Sequence, residues 1–146
     1  MVGHVCGMCG FISIDGTIPE KCPVCGAPKT AFKEKNDVKT AGDVAIYGES
    51  EKKHIPAISV SKTCGILPDG CVDVTVKIGE IPHPMLPEHF IMRIDFYLDK
   101  KFLSRVIFTP GQINAAAGLH LKAKSGKLAA IETCNIHGSW FNETDI

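Results

Sequence analysis

The sequence predicts an all-β protein, an antiparallel β-sandwich preceded by a small metal-knuckle domain. After residue 43, short segments alternate apolar and polar residues at regular spacing, and no long helical pattern is present. Four of the seven cysteines fall within the first 25 residues, which sets that part of the chain apart. We therefore predict a knuckle module over residues 1–36, a charged linker over 37–42 and a sandwich domain over 43–146.

The strands are predicted from a two-residue period of apolar side chains. The clearest is "VDVTVKI", in which Val72, Val74, Val76 and Ile78 alternate with polar residues. A short helical turn is expected within "GQINAAAG", residues 111–118. The predicted strands cover residues 44–48, 54–60, 72–78, 90–98, 102–108, 118–124 and 127–135.

Charge and hydropathy exclude several classes of protein. Lys+Arg and Asp+Glu both number 16, whereas a nucleic-acid binder would need a net basic face. No run of 18 apolar residues is present, so no membrane span is expected. The start, "MVGHVCGMCG", lacks the pattern of a secretory signal. We expect a cytoplasmic protein, in which cysteines serve as ligands or catalysts more often than as a disulfide framework.

The first cysteine cluster has the spacing of a tetrahedral metal site. "CGMCG" and "CPVCGAP" each contain C-x2-C, which brings four thiolates together. The glycine after each pair allows a tight turn that points backbone N–H groups at the sulfurs. A set of four thiolates suits both zinc and iron, so a structural zinc knuckle remains an alternative. The ligands are Cys6, Cys9, Cys22 and Cys25.

The stretch around this cluster, "GHVCGMCGFISIDGTIPEKCPVCGAPKTAF", resembles the rubredoxin-like module of rubrerythrins, with a shortened spacer. The resemblance covers about residues 3–33 and is most specific in "PEKCPVCGAPKTAF". It implies a mononuclear iron centre with four cysteine ligands that carries one electron. Zinc has no redox chemistry and could not do so.

A second cluster is predicted from histidines at the borders of strands and loops. Pro82, Pro84 and Pro87 stiffen the loop "HPMLPEH" that contains two of them. Each histidine taken singly is more often a satisfied residue than a ligand, but together with a cysteine they indicate a metal site. The candidates are His54, His83, His89, Cys134 and His137, whereas His120 is predicted to be solvated without a ligand-like neighbour.

Three motifs, "KKHIP", "PHPM-x3-HFI" and "CNIHG-x-W", together resemble the superoxide reductase family, which includes neelaredoxin and desulfoferrodoxin. The resemblance covers about residues 43–146 and implies an immunoglobulin-like sandwich. It implies an iron with four equatorial imidazoles, the axial thiolate of Cys134 and a sixth position open to solvent. The implied activity is reduction of superoxide to hydrogen peroxide, with a rubredoxin-type or similar electron donor. We also expect a homo-oligomer, a dimer or tetramer.

The resemblance also assigns roles next to the first histidine. Lys53 takes the place of the family's cation that steers superoxide. The family usually has Glu-Lys-His here, whereas this chain has Glu51-Lys52-Lys53-His54. Glu51 is therefore one position early, which leaves its ligation of the oxidised iron open.

Two other functions remain possible from the sequence. One is an electron-transfer protein with two iron centres and no catalysis of its own. The other is an immunoglobulin-like interaction module with a structural zinc knuckle and unligated histidines. The insertion "TCGILPDGC" adds Cys64 and Cys71, which could form a disulfide, stay as free thiols or bind something across subunits.

Overall fold

The computed structural model describes residues 1–41 and 48–146. Within these ranges the chain forms three sheets, ordered β2-β1-β3, β4-β11-β10-β7-β8 and β5-β6-β9. All strand pairs in them are antiparallel except β4 with β11, so the predicted all-β fold is confirmed. The strands are β1 Gly3–Cys6, β2 Ile12–Ser13, β3 Phe32–Lys35, β4 Lys39–Thr40, β5 Pro56–Cys64, β6 Cys71–Ile78, β7 Ile91–Leu98, β8 Lys101–Ile107, β9 Ala116–Leu121, β10 Lys127–Cys134 and β11 Gly138–Asp145.

The sandwich core lies between the five-stranded sheet and the sheet β5-β6-β9. The predicted alternation in β6 is observed, since its four apolar side chains are buried and lie in one cluster with Ile94, Phe96 and Leu128. Full burial of one such side chain stabilises the fold by about 1.5–3 kcal/mol. This core fixes the ends of the strands from which the functional loops extend.

The N-terminal module packs against the outer face of the five-stranded sheet. Phe11 and Ile12 share a second buried cluster with Tyr97 and Ile131 of that sheet. The rings of Phe11 and Tyr97 stack with their centroids 6.1 Å apart, and the Tyr97 hydroxyl donates a hydrogen bond to the Ile12 carbonyl at 2.8 Å. The knuckle and the sheet therefore share one apolar core.

A buried charge cluster holds the first cysteine knuckle on the same face. Asp95 accepts hydrogen bonds from Arg105 Nε at 2.5 Å and Nη2 at 2.7 Å. Arg105 Nη1 donates to the Cys9 carbonyl at 2.9 Å, and Arg93 Nη2 donates to the Gly10 carbonyl at 3.0 Å. Pairing with Asp95 makes the burial of Arg105 tolerable, because an unpaired buried charge is costly.

The segment predicted as a linker contributes to the sheet. Val38 is buried, and β4 pairs in parallel with β11, with Lys39 opposite Trp140. The helix predicted within residues 111–118 does not form: Gly111 and Gln112 lie in a turn, and Ala116 and Ala117 pair with β6 as the start of β9. Residues 44–47 of the strand predicted at 44–48 lie outside the described part.

Helix α1, Glu49–His54, was not predicted, and its last residue, His54, was assigned to the predicted strand 54–60. Glutamates in the first turn and lysines in the last complement the helix dipole. Pro56 disfavours helical backbone at the residue before it, which ends the helix. Neither α1, with six residues, nor the 3₁₀ turn Lys29–Ala31 is long enough to cross a membrane, and no other helix occurs in the described ranges.

Candidate metal centres

All five residues of the predicted second cluster meet at one end of the sandwich. One ligand atom from each lies within 4.8 Å of all the others. The last residues of α1 and β10 contribute His54 and Cys134, and the turn from β10 to β11 contributes His137. His83 and His89 come from the proline-rich loop between β6 and β7.

The four imidazoles form a square. Neighbouring ring centroids are 4.7 Å (His54–His83), 4.6 Å (His83–His89), 4.8 Å (His89–His137) and 4.9 Å (His137–His54) apart. The diagonal between His54 and His89 is 6.5 Å. Neighbouring rings are tilted by 69–81° to each other. Four rings in this arrangement could hold one ion, and the Cys134 sulfur, 3.7 Å from His137 Nδ1, would supply a fifth ligand atom.

Hydrogen bonds to backbone carbonyls orient two of the rings. His54 Nδ1 lies 2.6 Å from the Ser50 carbonyl, and His83 Nδ1 lies 2.7 Å from the Pro84 carbonyl. With Nδ1 protonated as donor, each Nε2 keeps its lone pair for a metal. The two Nε2 atoms are 3.1 Å apart, and His89 Nε2 is buried without a hydrogen-bond partner among the described residues. A bound ion would satisfy these nitrogens.

The donor set fits iron better than zinc. Protein zinc sites are usually four-coordinate, whereas five donors converge here. Imidazole together with thiolate is a ligand set that iron accepts. Trp140 closes the site from inside: it is buried and stacks on His54 with centroids 4.9 Å apart.

Sequence reasoning missed two charged residues beside this centre. Lys39 Nζ donates to the His137 carbonyl at 2.5 Å and lies 4.7 Å from the centroid of the Trp140 ring. Glu132 is fully buried on the inward side of β10, and burial raises its pKa well above the usual range. Glu132 could have been found from the sequence, because the two-residue period of the strand places it on the same face as Leu128 and Cys134. Lys39 could not, because only the tertiary fold brings it to the site.

The four cysteines of the first cluster also converge. Cys6 Sγ lies 3.7 Å from Cys25 Sγ, and Cys9 Sγ lies 3.5 Å from Cys22 Sγ. A tetrahedral ion with bonds of about 2.3 Å requires sulfur separations of about 3.7 Å. Burial raises the pKa of Cys6, but hydrogen bonds from the backbone N–H groups of Cys9 and Met8 and with the thiols of Cys25 and Cys9 together lower it to about 7.

The two knuckles around these cysteines have the same local geometry. Gly10 and Gly26 both have positive φ, and their N–H groups donate to the carbonyls of Cys6 and Cys22. The predicted role of glycine in closing each turn is therefore observed.

Lys53 and Glu51, the two residues given roles near the first histidine, differ in burial. Lys53 is exposed, and its charge is among the influences, after burial and the neighbouring histidines, that lower the pKa of His83. Glu51 is buried and lines a cavity with Lys52 and Ile55. Its carboxylate is not among the five ligand atoms that converge.

The insertion between β5 and β6 brings Cys64 and Cys71 together as a disulfide, with Cα atoms 5.0 Å apart. His120 Nδ1 lies 3.6 Å from the Cys64 sulfur and 2.5 Å from an Asp73 oxygen. The prediction that His120 has no ligand-like neighbour is wrong, because strand pairing places it directly opposite Asp73.

Acid is expected to destabilise the metal-free protein through the buried imidazoles. Burial lowers the pKa of His54 and His83 from 6.5 to about 4, more than their bonds to carbonyls raise it. The unfolded chain therefore binds protons below pH 6.5 that the folded chain resists until about pH 4, so stability falls as pH falls through this window. Urea denaturation of metal-free protein at pH 7.5 and 5 measures the effect. A double variant, His54→Gln with His83→Gln, should lose stability less steeply with acid; an equal slope would contradict the prediction.

The family models that match the chain cover both clusters. The Desulfoferrodoxin model matches residues 47–143, and the model of the rubrerythrin rubredoxin-like domain matches residues 4–33. A superoxide reductase of Pyrococcus abyssi is 39% identical over 106 residues, with 65% of this chain and 88% of the relative covered. A desulfoferrodoxin of Desulfarculus baarsii is 31% identical over 139 residues, with 94% and 91% covered.

Solved structures agree with this match. The superoxide reductase (neelaredoxin) of Ignicoccus hospitalis is 30% identical and superposes with a TM-score of 0.60, covering 75% of this chain and 93% of its own. The matches reach across the histidine square, Cys134 and the sandwich that carries them, and the second model accounts for the four-cysteine knuckle. The chain therefore belongs to the desulfoferrodoxin family, with a rubredoxin-like module at its N-terminal end.

Proposed function

We propose that this protein is a superoxide reductase, which converts superoxide to hydrogen peroxide with one electron and two protons. The observation that carries the proposal is the square of four imidazoles with a buried thiolate as the fifth donor. Iron bound by these residues would supply the one-electron chemistry and a vacant coordination position.

The ligands give the site a charge that suits its substrate. Four neutral imidazoles and one thiolate leave a ferrous ion with a formal charge of +1, which attracts an anion without a strongly basic protein surface. The carbonyl partners of His54 and His83 hold those rings in one tautomer, so they remain neutral donors. Lys39 binds the His137 carbonyl and adds a positive charge behind the same turn.

The stoichiometry of the products tests this function against that of a carrier with two iron centres. Reduced protein mixed with superoxide should form one hydrogen peroxide per superoxide consumed and no dioxygen. A carrier would react slowly and form no stoichiometric peroxide. Release of dioxygen would instead indicate dismutation and contradict the proposal.

Lys53 is expected to accelerate the encounter with superoxide. Lys53 is exposed, and its positive charge contributes to lowering the pKa of His83, whereas Lys52 pairs with Glu49 at 3.4 Å. Lys53→Ala should slow the second-order reaction by about tenfold at low salt and flatten its dependence on ionic strength. Stopped-flow or pulse-radiolysis rates measure this. Lys52→Ala is the matched control, and a larger loss there would reverse the assignment.

The electron that reduces superoxide is proposed to enter through the rubredoxin-like module from a rubredoxin-type donor. Arg93 contacts the knuckle at the Gly10 carbonyl and pairs in register with Thr133, the residue before Cys134. These contacts connect the knuckle through Arg93 to the strand that carries Cys134. We also propose that the protein is a homo-oligomer, a dimer or tetramer, and that it acts in the cytoplasm. Light scattering in solution measures the oligomeric state.

A further inference from the structure

A third group of metal-ligating side chains lies on the outer face of the sheet β5-β6-β9. It consists of Cys64, Cys71, Asp73 and His120, and one ligand atom of each lies within 4.8 Å of all the others. Cys64 and Cys71 are directly opposed across β5 and β6, and Asp73 and His120 across β6 and β9. Asp73 is two residues after Cys71, so both side chains point to the same face.

The distances from His120 to the two sulfurs resemble distances between ligand atoms in the two centres already described. His120 Nδ1 lies 3.6 Å from Cys64 Sγ and 4.0 Å from Cys71 Sγ. Sulfur and nitrogen bound to one tetrahedral ion, at about 2.3 Å and 2.0 Å, are separated by about 3.5 Å. The corresponding distance in the histidine square, from Cys134 Sγ to His137 Nδ1, is 3.7 Å.

The four residues differ in burial: the two cysteines are covered and the other two are partly exposed, as expected for a site that an ion can enter from solvent. Cys64 and Cys71 are buried, while the side chains of Asp73 and His120 are 42% and 48% exposed. The loop from residue 65 to 70 joins the two cysteines, and part of it lines a cavity with His120. An ion could therefore enter past the histidine and reach sulfurs that are shielded from water.

This group is separate from the histidine square. Pro56 pairs with Ile78 at the end of β5 and β6 nearest His54, whereas Cys64 pairs with Cys71 at the opposite end. The seven steps along β6, at about 3.3 Å each, place the two sites roughly 20 Å apart. The group also lies outside the knuckle that the rubredoxin-like model matches.

We propose that Cys64, Cys71, Asp73 and His120 form a third metal site, for a tetrahedral divalent ion of the zinc type, when the two cysteines are thiols. Two thiolates, one imidazole and one carboxylate are ligands that zinc accepts, and four donors complete its usual coordination. Binding releases the two thiol protons, and the His120 nitrogen that now faces Asp73 binds the ion. The disulfide is the competing oxidised state of the same pair, and it binds no ion.

Zinc analysis of the iron-loaded protein tests the proposal. Protein reduced anaerobically is first assayed for thiols, then titrated with zinc, desalted and analysed, while its visible spectrum reports that both iron centres stay intact. We expect one zinc per chain in the wild type and none in the double variant Cys64→Ser with Cys71→Ser. His120→Ala should weaken zinc binding about tenfold or more. Lys122→Ala, two residues after His120 and just beyond the end of β9, is the matched control and should bind zinc like the wild type.

Several outcomes would overturn the third site. One is a wild-type protein that binds no more zinc than the double variant. Another is a thiol assay that shows Cys64 and Cys71 still oxidised under the reductant. Unchanged zinc affinity in both His120→Ala and Asp73→Asn would likewise reduce the site to a cysteine pair and contradict the proposed ligands.

Discussion

Replacing Cys134 by serine is expected to abolish the thiolate-to-iron absorption of the histidine centre and to reduce superoxide reduction at least about 100-fold. Removing a residue that only hydrogen-bonds to a metal ligand typically lowers metal affinity or activity by about 10–100-fold, and Cys134 is a proposed ligand itself. Its sulfur is buried beside the imidazole square, and no other cysteine joins that group of described residues. Visible spectra and stopped-flow rates of iron-loaded protein measure both effects.

The matched control for this variant is Cys25→Ser in the first cluster. It should alter the absorption of the four-cysteine centre and leave the thiolate band of the histidine centre in place. If Cys134→Ser keeps that band, the sulfur is not the axial donor and the assignment fails.

Replacing Asp95 by alanine is expected to lower the free energy of unfolding by about 3–5 kcal/mol. The change leaves the Arg105 guanidinium buried without its carboxylate partner, and uncompensated buried charges cost this much. The knuckle should loosen as well, because Arg105 and Arg93 bind the carbonyls of Cys9 and Gly10. Urea denaturation and the rate of iron loss from the four-cysteine centre measure the two consequences.

Glu20→Ala provides the control for the loss of an ion pair. Glu20 lies 2.9 Å from Lys29, but both side chains are mostly exposed, so the change should be below about 1 kcal/mol. If both variants lost the same free energy of unfolding, the Asp95 ion pair would contribute no more than an exposed one, and the prediction would fail.

Much of the fold was predictable because burial leaves a simple trace in the sequence. In β6 every second side chain is apolar and buried. The metal ligands could be predicted because several histidines and a cysteine at the borders of strands and loops rarely occur together except in a metal site. The resemblance of three short motifs supplied the geometry that spacing alone does not contain.

What the sequence concealed depends on contacts between distant segments. Lys39 reaches the His137 carbonyl across 98 positions of the chain, and no local pattern signals such a bond. Arg105 and Cys9 are equally remote, separated by 96 positions. α1 was missed because six residues are too few for a helical period, and "GQINAAAG" was misread because pairing with β6 overrides its alanine content.

The shared apolar core makes metal binding at the knuckle a thermodynamic partner of the whole sheet. Cys6 and Cys22 are buried in the same cluster as Tyr97, Ala129 and Ile131, which alternate with the inward side chains of β7 and β10. Ligand binding to the native state alone raises its stability by mass action, so iron in the knuckle also stabilises the strands that carry Cys134. Loss of iron from the four-cysteine module should then lower the melting temperature of the sandwich, and the two metal centres should gain or lose resistance to chelators together.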